Sequence, residues 1–200
     1  MIDSNQISVA ITGASGAPYS KRLLEVLFNS GLTVHLMISA AGRIVLADEL
    51  DWKLPSRASD IHQYLVSEFG CESEQLLVYG EQQWTSPLAS GSHPVKTMIV
   101  CPCTMGLLSS MAWCSGYNLI NRAADVMIKE NRKLILVPRE APFSAIHLEN
   151  MLKLARLGVC ILPPNPGFYF KPTQLSDIVD FVVARLLDQA DIEHNIAPRW

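Results

Sequence analysis

Ile7-Ser8-Val9-Ala10-Ile11-Thr12-Gly13-Ala14-Ser15-Gly16-Ala17 is the stretch on which the fold turns. Residues 7–12 are apolar and β-prone, and Gly13 ends the run. The period then changes: Leu23, Leu24, Leu27 and Phe28 fall at i, i+1, i+4 and i+5, with Gly31 as a stop. A strand that enters a helix through a turn of small residues is the opening half of a βαβ unit. Backbone N–H groups and the helix dipole make such a turn a natural place for an anion. Close packing of strand on helix explains the same small residues about as well.

The pattern repeats outward from that unit. Residues 33–38 read as a second strand and 40–50 as a helix. Residues 51–97 are less regular, with one clear helix that has Asp60 as N-cap and Gln63 three residues on. Its apolar face is Ile61, Tyr64, Leu65 and Phe69, and Gly70 ends it. A strand follows near 76–79, another at 98–101, helical segments at 105–113 and 119–130, and a strand at 134–138. A helix over 144–157, a strand over 159–162 and a helix over 173–187 complete the order. Strands that are apolar throughout and alternate with helices predict an α/β fold: one domain over residues 1–200, Rossmann-like (flavodoxin-like), a parallel sheet with helices on both faces. Ligands of such sheets sit at the carboxyl ends of the strands. Those ends are Gly13 to Gly16, Ser39-Ala40, Pro102 to Gly106, Pro138-Arg139-Glu140, and Pro163 to Phe170.

Composition narrows the function. Sixteen Lys and Arg stand against 19 Asp and Glu, net −3, which lacks the basic excess of a nucleic-acid binder. Only 18% of residues are charged, against roughly 25% in an average soluble domain, so part of the surface is expected to be covered by other subunits. The polar opening residues do not read as a signal peptide. The longest apolar run, 98–112, contains Pro102 and Gly106 and is shorter than the roughly 20 residues of a spanning helix, so no membrane is expected. Five cysteines without C-x-x-C pairs fit reduced thiols in a cytoplasm and no metal site.

Candidate chemistry follows from the strand ends. The first turn is not G-x-G-x-x-G, and the second strand ends in Ser39 rather than the acidic residue that holds a ribose 2′-OH. A dinucleotide is therefore disfavoured, and a mononucleotide such as FMN stays open. Ser39 and Thr104 add hydroxyls at neighbouring strand ends, and Thr104-Met105-Gly106-Leu107 opens a helix with further N–H groups. Arg122 and Lys129, seven apart on one helix face, join Arg139 and Arg185 as candidates for a phosphate cradle. A solvated face for the first two, and an ion pair from Arg185 to Asp180 or Asp188, are the plain alternatives. Glu140 is the leading acid/base carboxyl and Glu49 a distant second. Tyr169 is a phosphate-binding hydroxyl or a core aromatic. The histidines (35, 62, 93, 147, 194) are scattered, and His147 reads as structural. Trp200 and the tail from about 189 to 200 are expected to pack on a neighbouring subunit.

These residues resemble the UbiX-type flavin prenyltransferases, within the homo-oligomeric flavin-containing Cys decarboxylase-like group. The resemblance spans nearly the whole chain. It rests on Thr12-Gly13-Ala14-Ser15-Gly16-Ala17, Pro102-Cys103-Thr104-Met105-Gly106, Asn121-Arg122-Ala123-Ala124-Asp125-Val126, Leu136-Val137-Pro138-Arg139-Glu140, His147-Leu148-Glu149-Asn150-Met151-Leu152, Ile161-Leu162-Pro163-Pro164 and Gly167-Phe168-Tyr169. Thr104 stands where many members have Ser, and the hydroxyl is kept. The resemblance implies metal-independent transfer of a dimethylallyl group from dimethylallyl monophosphate to N5 and C6 of reduced FMN. The product, prenylated FMN, would be the cofactor of UbiD-type decarboxylases in ubiquinone and aromatic-acid pathways. By the same resemblance FMN meets Gly13, Ala14, Ser15, Ser39, Thr104, Met105, Gly106, Leu107 and Arg139. The prenyl phosphate meets Ser90, Gly91, Arg122, Lys129, Glu140, Tyr169, Arg185 and Trp200. Glu140, Ser15, Glu49 and Lys129 are the implied catalytic set, and a dodecamer with sites between subunits is the implied assembly.

Two other readings compete. The cysteine decarboxylases of this group resemble a Pro-Ala-Ser-Ala-Asn-Thr motif and place a His in the first helix. Here the stretch is Pro102-Cys103-Thr104-Met105-Gly106-Leu107, and residues 18–30 hold no His. A non-catalytic flavin carrier needs no second basic pocket, so Arg122, Lys129, Tyr169 and Arg185 count against it.

Overall fold

Along β1 (Gln6–Ile11), Ile7, Val9 and Ile11 face one way and Ser8 and Ala10 the other, and all five are buried. A strand with no solvent side has to lie inside a sheet covered on both faces. The computed structural model describes residues 5–92 and 95–197, and it has that architecture. β2 (Thr33–Ile38), β3 (Leu76–Tyr79), β4 (Thr97–Cys103), β5 (Lys133–Pro138) and β6 (Cys160–Ile161) join β1 in one six-stranded sheet. Each pairing is parallel, and the order is β3-β2-β1-β4-β5-β6. The α/β, Rossmann-like reading of the sequence holds.

Among the described residues seven α-helices cover the sheet: α1 (Ala17–Asn29), α2 (Ala40–Leu50), α3 (Ala58–Phe69), α4 (Met105–Ala112), α5 (Leu119–Lys129), α6 (Ala145–Arg156) and α7 (Leu175–Gln189). Leu23, Leu27, Leu46, Leu65, Val183 and Leu187 bring α1, α2, α3 and α7 onto one face. Leu108, Ile120, Ala124, Met127 and Leu154 bring α4, α5 and α6 onto the other. Ala-rich spacing on α5 lets it approach the sheet closely, with Ala123 and Ala124 both buried.

Local signals were read well, with three differences. β4 runs on through Cys103, and β6 is only two residues long. Helix α3 starts at Ala58 with Arg57 as its cap, not at Asp60. Asp60 lies in the first turn, where its carboxylate accepts from Ser59 Oγ (2.9 Å) and suits the positive end of the helix dipole. Ser144 caps α6, and His147 accepts from the Ser144 N–H in a capping box, so His147 is structural as expected. Cys101 and Cys103 are fully buried, and burial pushes the Cys101 thiol up to about 12, which makes this pair packing rather than chemistry.

The crossovers leave β1 in one direction and β4 in the other, so the two strands flank the switch point where doubly wound sheets open a crevice. Thr12, just past β1, fastens that point. Its hydroxyl donates to Pro102 O (2.7 Å) and accepts from Thr104 N (3.0 Å). Thr12→Val keeps the shape, removes the donor and strands the Thr104 N–H. It is expected to destabilise the fold by about 1–3 kcal/mol. Thermal melts at matched protein concentration would show this as a lowered Tm.

Candidate functional site

A cleft of about 360 Å³ opens at the switch point, lined by Thr12, Gly13, Ser39, Ala41, Thr104, Gly106, Leu107, Ser110, Gly116, Asn118, Ile120 and Asn121. That size lies within the range of small-molecule sites. The lining is hydroxyls, amides and backbone N–H groups at helix starts. Ser39 caps α2 by accepting from Gly42 N (2.9 Å), and Thr104 caps α4 by accepting from Leu107 N (3.2 Å). Gly13 is required here: a side chain on it would run into Ala41, so α2 packs directly on the turn after β1. Met105 is buried in the core, so only its backbone can face a ligand. The donor set fits a flavin mononucleotide, whose phosphate suits helix-start N–H groups and whose ring oxygens accept from N–H and O–H donors.

Beside the cleft, Glu49 on α2 reaches the start of α1. Its Oε2 accepts from Gly16 N (3.0 Å) and Ala17 N (2.8 Å). The anion held by this helix N-terminus within the protomer is therefore a side chain, a feature the small-residue turn alone did not disclose. Partial burial pulls the Glu49 carboxyl up. Hydrogen bonds from Ser15, Gly16 and Ala17 and the charge of Arg139 outweigh it and hold the group below its ordinary value. Arg139, at the tip of β5, donates from Nε to Ser15 O (3.3 Å). Ser15, Glu49 and Arg139 thus form one cluster built from two strand-to-helix turns and the last turn of α2. Glu140, next in sequence, is exposed and accepts from Ala141 N (3.2 Å).

A second cationic group lies elsewhere. Arg122 donates from Nε to Ala89 O (3.0 Å) and pairs with Asp125 (2.6 Å). Lys129 pairs with Glu130 and crowds Gly91, where any side chain would collide with both groups. Arg132, unforeseen in the sequence, binds Gly91 O and Val95 O. Helix α5 leads away from Asn118 in the cleft, and eleven residues at about 1.5 Å rise carry Lys129 roughly 16 Å along the axis. Ser90, Gly91, Arg122 and Lys129 therefore gather with one another, and Lys129 does not enter the cleft of its own protomer.

A third group sits on the opposite face of the sheet. Tyr169 meets Phe170 and Phe181 edge-on, and Arg185 follows Phe181 by one turn of α7. Arg185 is not embedded among the apolar residues of α7; its side chain is 52% exposed and pairs with Asp188 at 2.6 Å. Asp180, the other candidate partner, is taken by Arg22 of α1 (2.6 Å). Trp200 and His93 lie outside the described residues. Ser110, Asn118 and Asn121 were missed from sequence. Their signal is weak: Asn118 is a helix cap, and Asn121 is a buried amide bonded to Ser110 (2.6 Å) and Asn118 (2.9 Å).

A larger cleft of about 640 Å³ lies at the amino ends of the strands, lined by Gln6, Ile7, Lys96, Thr97, Lys133 and Asp191 among others. Lys133 is paired with Asp191 there, and among the described residues no helix start points in, so the smaller cleft at the switch point is the candidate site.

The lowered Glu49 pKa sets a pH window. The folded carboxyl titrates below the ordinary 4.5, so its contribution to stability is present above about pH 4.5 and is lost as pH falls through the folded value. Glu49→Gln should lower Tm by a constant amount down to about pH 5, and the gap should close below it. Parallel melts of both proteins across that range would check the sign.

The Flavoprotein family profile matches residues 1–187. The flavin prenyltransferase UbiX of Pseudomonas aeruginosa is 48% identical over 200 residues, 100% of this chain and 96% of that protein. A crystal structure of AnUbiX (PadA1) in complex with FMN and dimethylallyl pyrophosphate is 35% identical, with a TM-score of 0.86 over 98% of this chain and 97% of that one. The dodecameric FMN-dependent UbiX-like decarboxylase of Escherichia coli O157:H7 is 39% identical, with a TM-score of 0.84 over 98% of each chain. Similarity of that depth over the full length, on a cleft of matching chemistry, leaves one assignment: the chain belongs to the flavoprotein family and, within it, to the UbiX-type flavin prenyltransferases.

Proposed function

We propose that the chain joins a dimethylallyl group from dimethylallyl monophosphate to N5 and C6 of reduced FMN, across a site completed by neighbouring subunits. The observation that carries this reading is the division of the candidate residues into separate half-sites. The cleft at the switch point, with Arg139 at its edge, suits the flavin. The phosphate-type cations Arg122 and Lys129, and the Tyr169–Arg185 pair, lie on other parts of the surface. Large apolar residues that should be covered are exposed, including Trp113, Tyr117, Ile146 and Leu148. Association into an oligomer, as in the dodecameric relative, would cover them and bring one protomer's cations to another's cleft.

Each group then has a physical task. Allylic C–O cleavage places the bonding electron pair on the departing phosphate, so fixed guanidinium and ammonium groups lower the barrier as that charge develops. Reduced FMN bound in the cleft supplies the nucleophilic N5. Holding N5 against the allylic carbon makes the step effectively unimolecular. Apolar and aromatic walls exclude the water that would otherwise capture an allylic cation. When the ring closes, the allylic double bond takes up a proton as its tertiary carbon bonds to C6, Glu140 takes the proton that leaves C6, and Ser15 and Glu49 hold a polar edge near N5. The product is the prenylated flavin that a UbiD-type decarboxylase takes up as its cofactor. Among the described residues no helix is long and apolar enough to cross a membrane.

Anaerobic incubation with reduced FMN and dimethylallyl monophosphate, followed by mass spectrometry of the extracted flavin, tests the reading. A flavin heavier by one C5H8 unit is expected, and recovery of unmodified flavin would overturn it. A parallel reaction with the diphosphate reports the donor preference. Lys129→Ala is expected to lower kcat/KM for the prenyl donor on the order of a hundredfold while FMN affinity holds. Glu140→Gln should slow product formation by a similar factor, read from the same flavin mass.

A further inference from the structure

Helix α7 ends in a structure that does more than stop it. Ala190 closes the helix, Asp191 takes a φ of 57°, and Ile192 N donates back to Leu187 O (3.0 Å). A left-handed residue followed by this 6→1 bond is a Schellman turn, which reverses the chain. The following residues return along the protomer's own α7, with Ile192 and Ile196 packed against the core. The turn sets His194 on Asp188, with Nε2 3.1 Å from Oδ1. The imidazole is 3% exposed. The other oxygen of the same carboxylate accepts from Arg185 Nη1 at 2.6 Å. Asp188 is thereby held between a buried imidazole and an exposed guanidinium.

The imidazole is oriented by what surrounds it. Its Nδ1 is buried with no hydrogen-bond partner among the described residues. A proton there would be a buried, unmatched donor, so the arrangement that wastes no donor places the ring proton on Nε2, donated to Asp188. An exposed Arg–Asp pair three residues apart on a helix is weak by itself, because both side chains must give up rotamer freedom. A carboxylate already fixed from behind removes half of that cost. Asp188 takes one edge of the guanidinium fork, which carries five N–H donors, and so sets the direction of the others.

We propose that His194 is a positioning residue for the prenyl phosphate: through Asp188 it pre-orders Arg185. This rests on the reading of Arg185 as a phosphate contact. The benefit is entropic, since a pre-ordered cation binds an anion without first being immobilised.

The test is a double-mutant cycle on the intact protein, with KM for dimethylallyl monophosphate, FMN affinity and Tm read for each variant. His194→Leu fills the space without a donor and is expected to raise KM by about fivefold to tenfold, with FMN affinity held. His194→Gln, whose amide N–H can reach Asp188, should restore KM to near the wild-type value. In an Arg185→Ala background, which itself raises KM, His194→Leu should add nothing further. Additive effects, or a His194→Leu protein with wild-type KM while Arg185→Ala is impaired, would overturn the clasp. A Tm loss with FMN affinity and KM worsening together, and no recovery in His194→Gln, would reduce His194 to a fold anchor and overturn it as well. An Arg185→Ala protein with unchanged KM would instead remove the phosphate reading of Arg185, and the clasp with it.

Discussion

The hydroxyl of Thr12 holds together the place on which everything else depends. A parallel sheet whose crossovers depart in two directions leaves a crevice above the carboxyl ends of its central strands, here the paired β1 and β4. The paired register of β1 and β4 ends at Ala10 and Val100, so the segments above it must be joined by other bonds. Thr12 joins them by donating to Pro102 O and accepting from Thr104 N, while Ser20 of α1 donates to Cys101 O (2.8 Å) just below. These bonds fix the starts of α1 and α4 relative to one another. A cleft whose donors are helix-start N–H groups has no shape unless those starts are held.

Electrostatics at the cleft follows from the same geometry. The N-terminus of α1 is satisfied by Glu49, and the N-terminus of α2 offers Ala40 N to Glu81 (2.9 Å). Two helix starts thus carry carboxylates from their own protomer, whereas α4 is capped by the neutral Thr104. The positive dipole at α1 favours the ionised Glu49 near Arg139, so the rim of the candidate cleft carries opposite charges rather than a bare cation. Lys129 with Glu130, Arg122 with Asp125 and Arg185 with Asp188 repeat that arrangement. Exposed pairs of this kind contribute little to stability but keep long cations ordered and soluble until an anion replaces or joins the acid.

Much of the architecture could be read in one dimension. The change of period after Gly13 and the stop at Gly70 both rest on interactions within a few residues, which the chain carries wherever it goes. Asp60 was misplaced as a cap because a first-turn acid and an N-cap acid satisfy the same dipole and look alike in sequence. Ser39, Thr104 and Gly106 were legible as cleft-lining residues because strand ends are predictable and ligands of parallel sheets gather there. Asn121 and Ser110 were not, since a buried amide on a helix has no pattern that separates it from packing.

The sequence by itself determined the alternation of strands and helices, the single α/β domain, the small hydroxyl-rich turns at the strand ends, and the family. Local propensity and period encode the first three, and the joint order of several short motifs encodes the last. Only the tertiary structure decided which side chains meet. It set Glu49 on the α1 terminus, sent Lys129 away from the cleft of its own protomer, and closed His194 and Arg185 on one carboxylate. Those contacts depend on crossover direction, helix rise and chain reversal, and these fix distances between residues far apart in sequence, which no local pattern records.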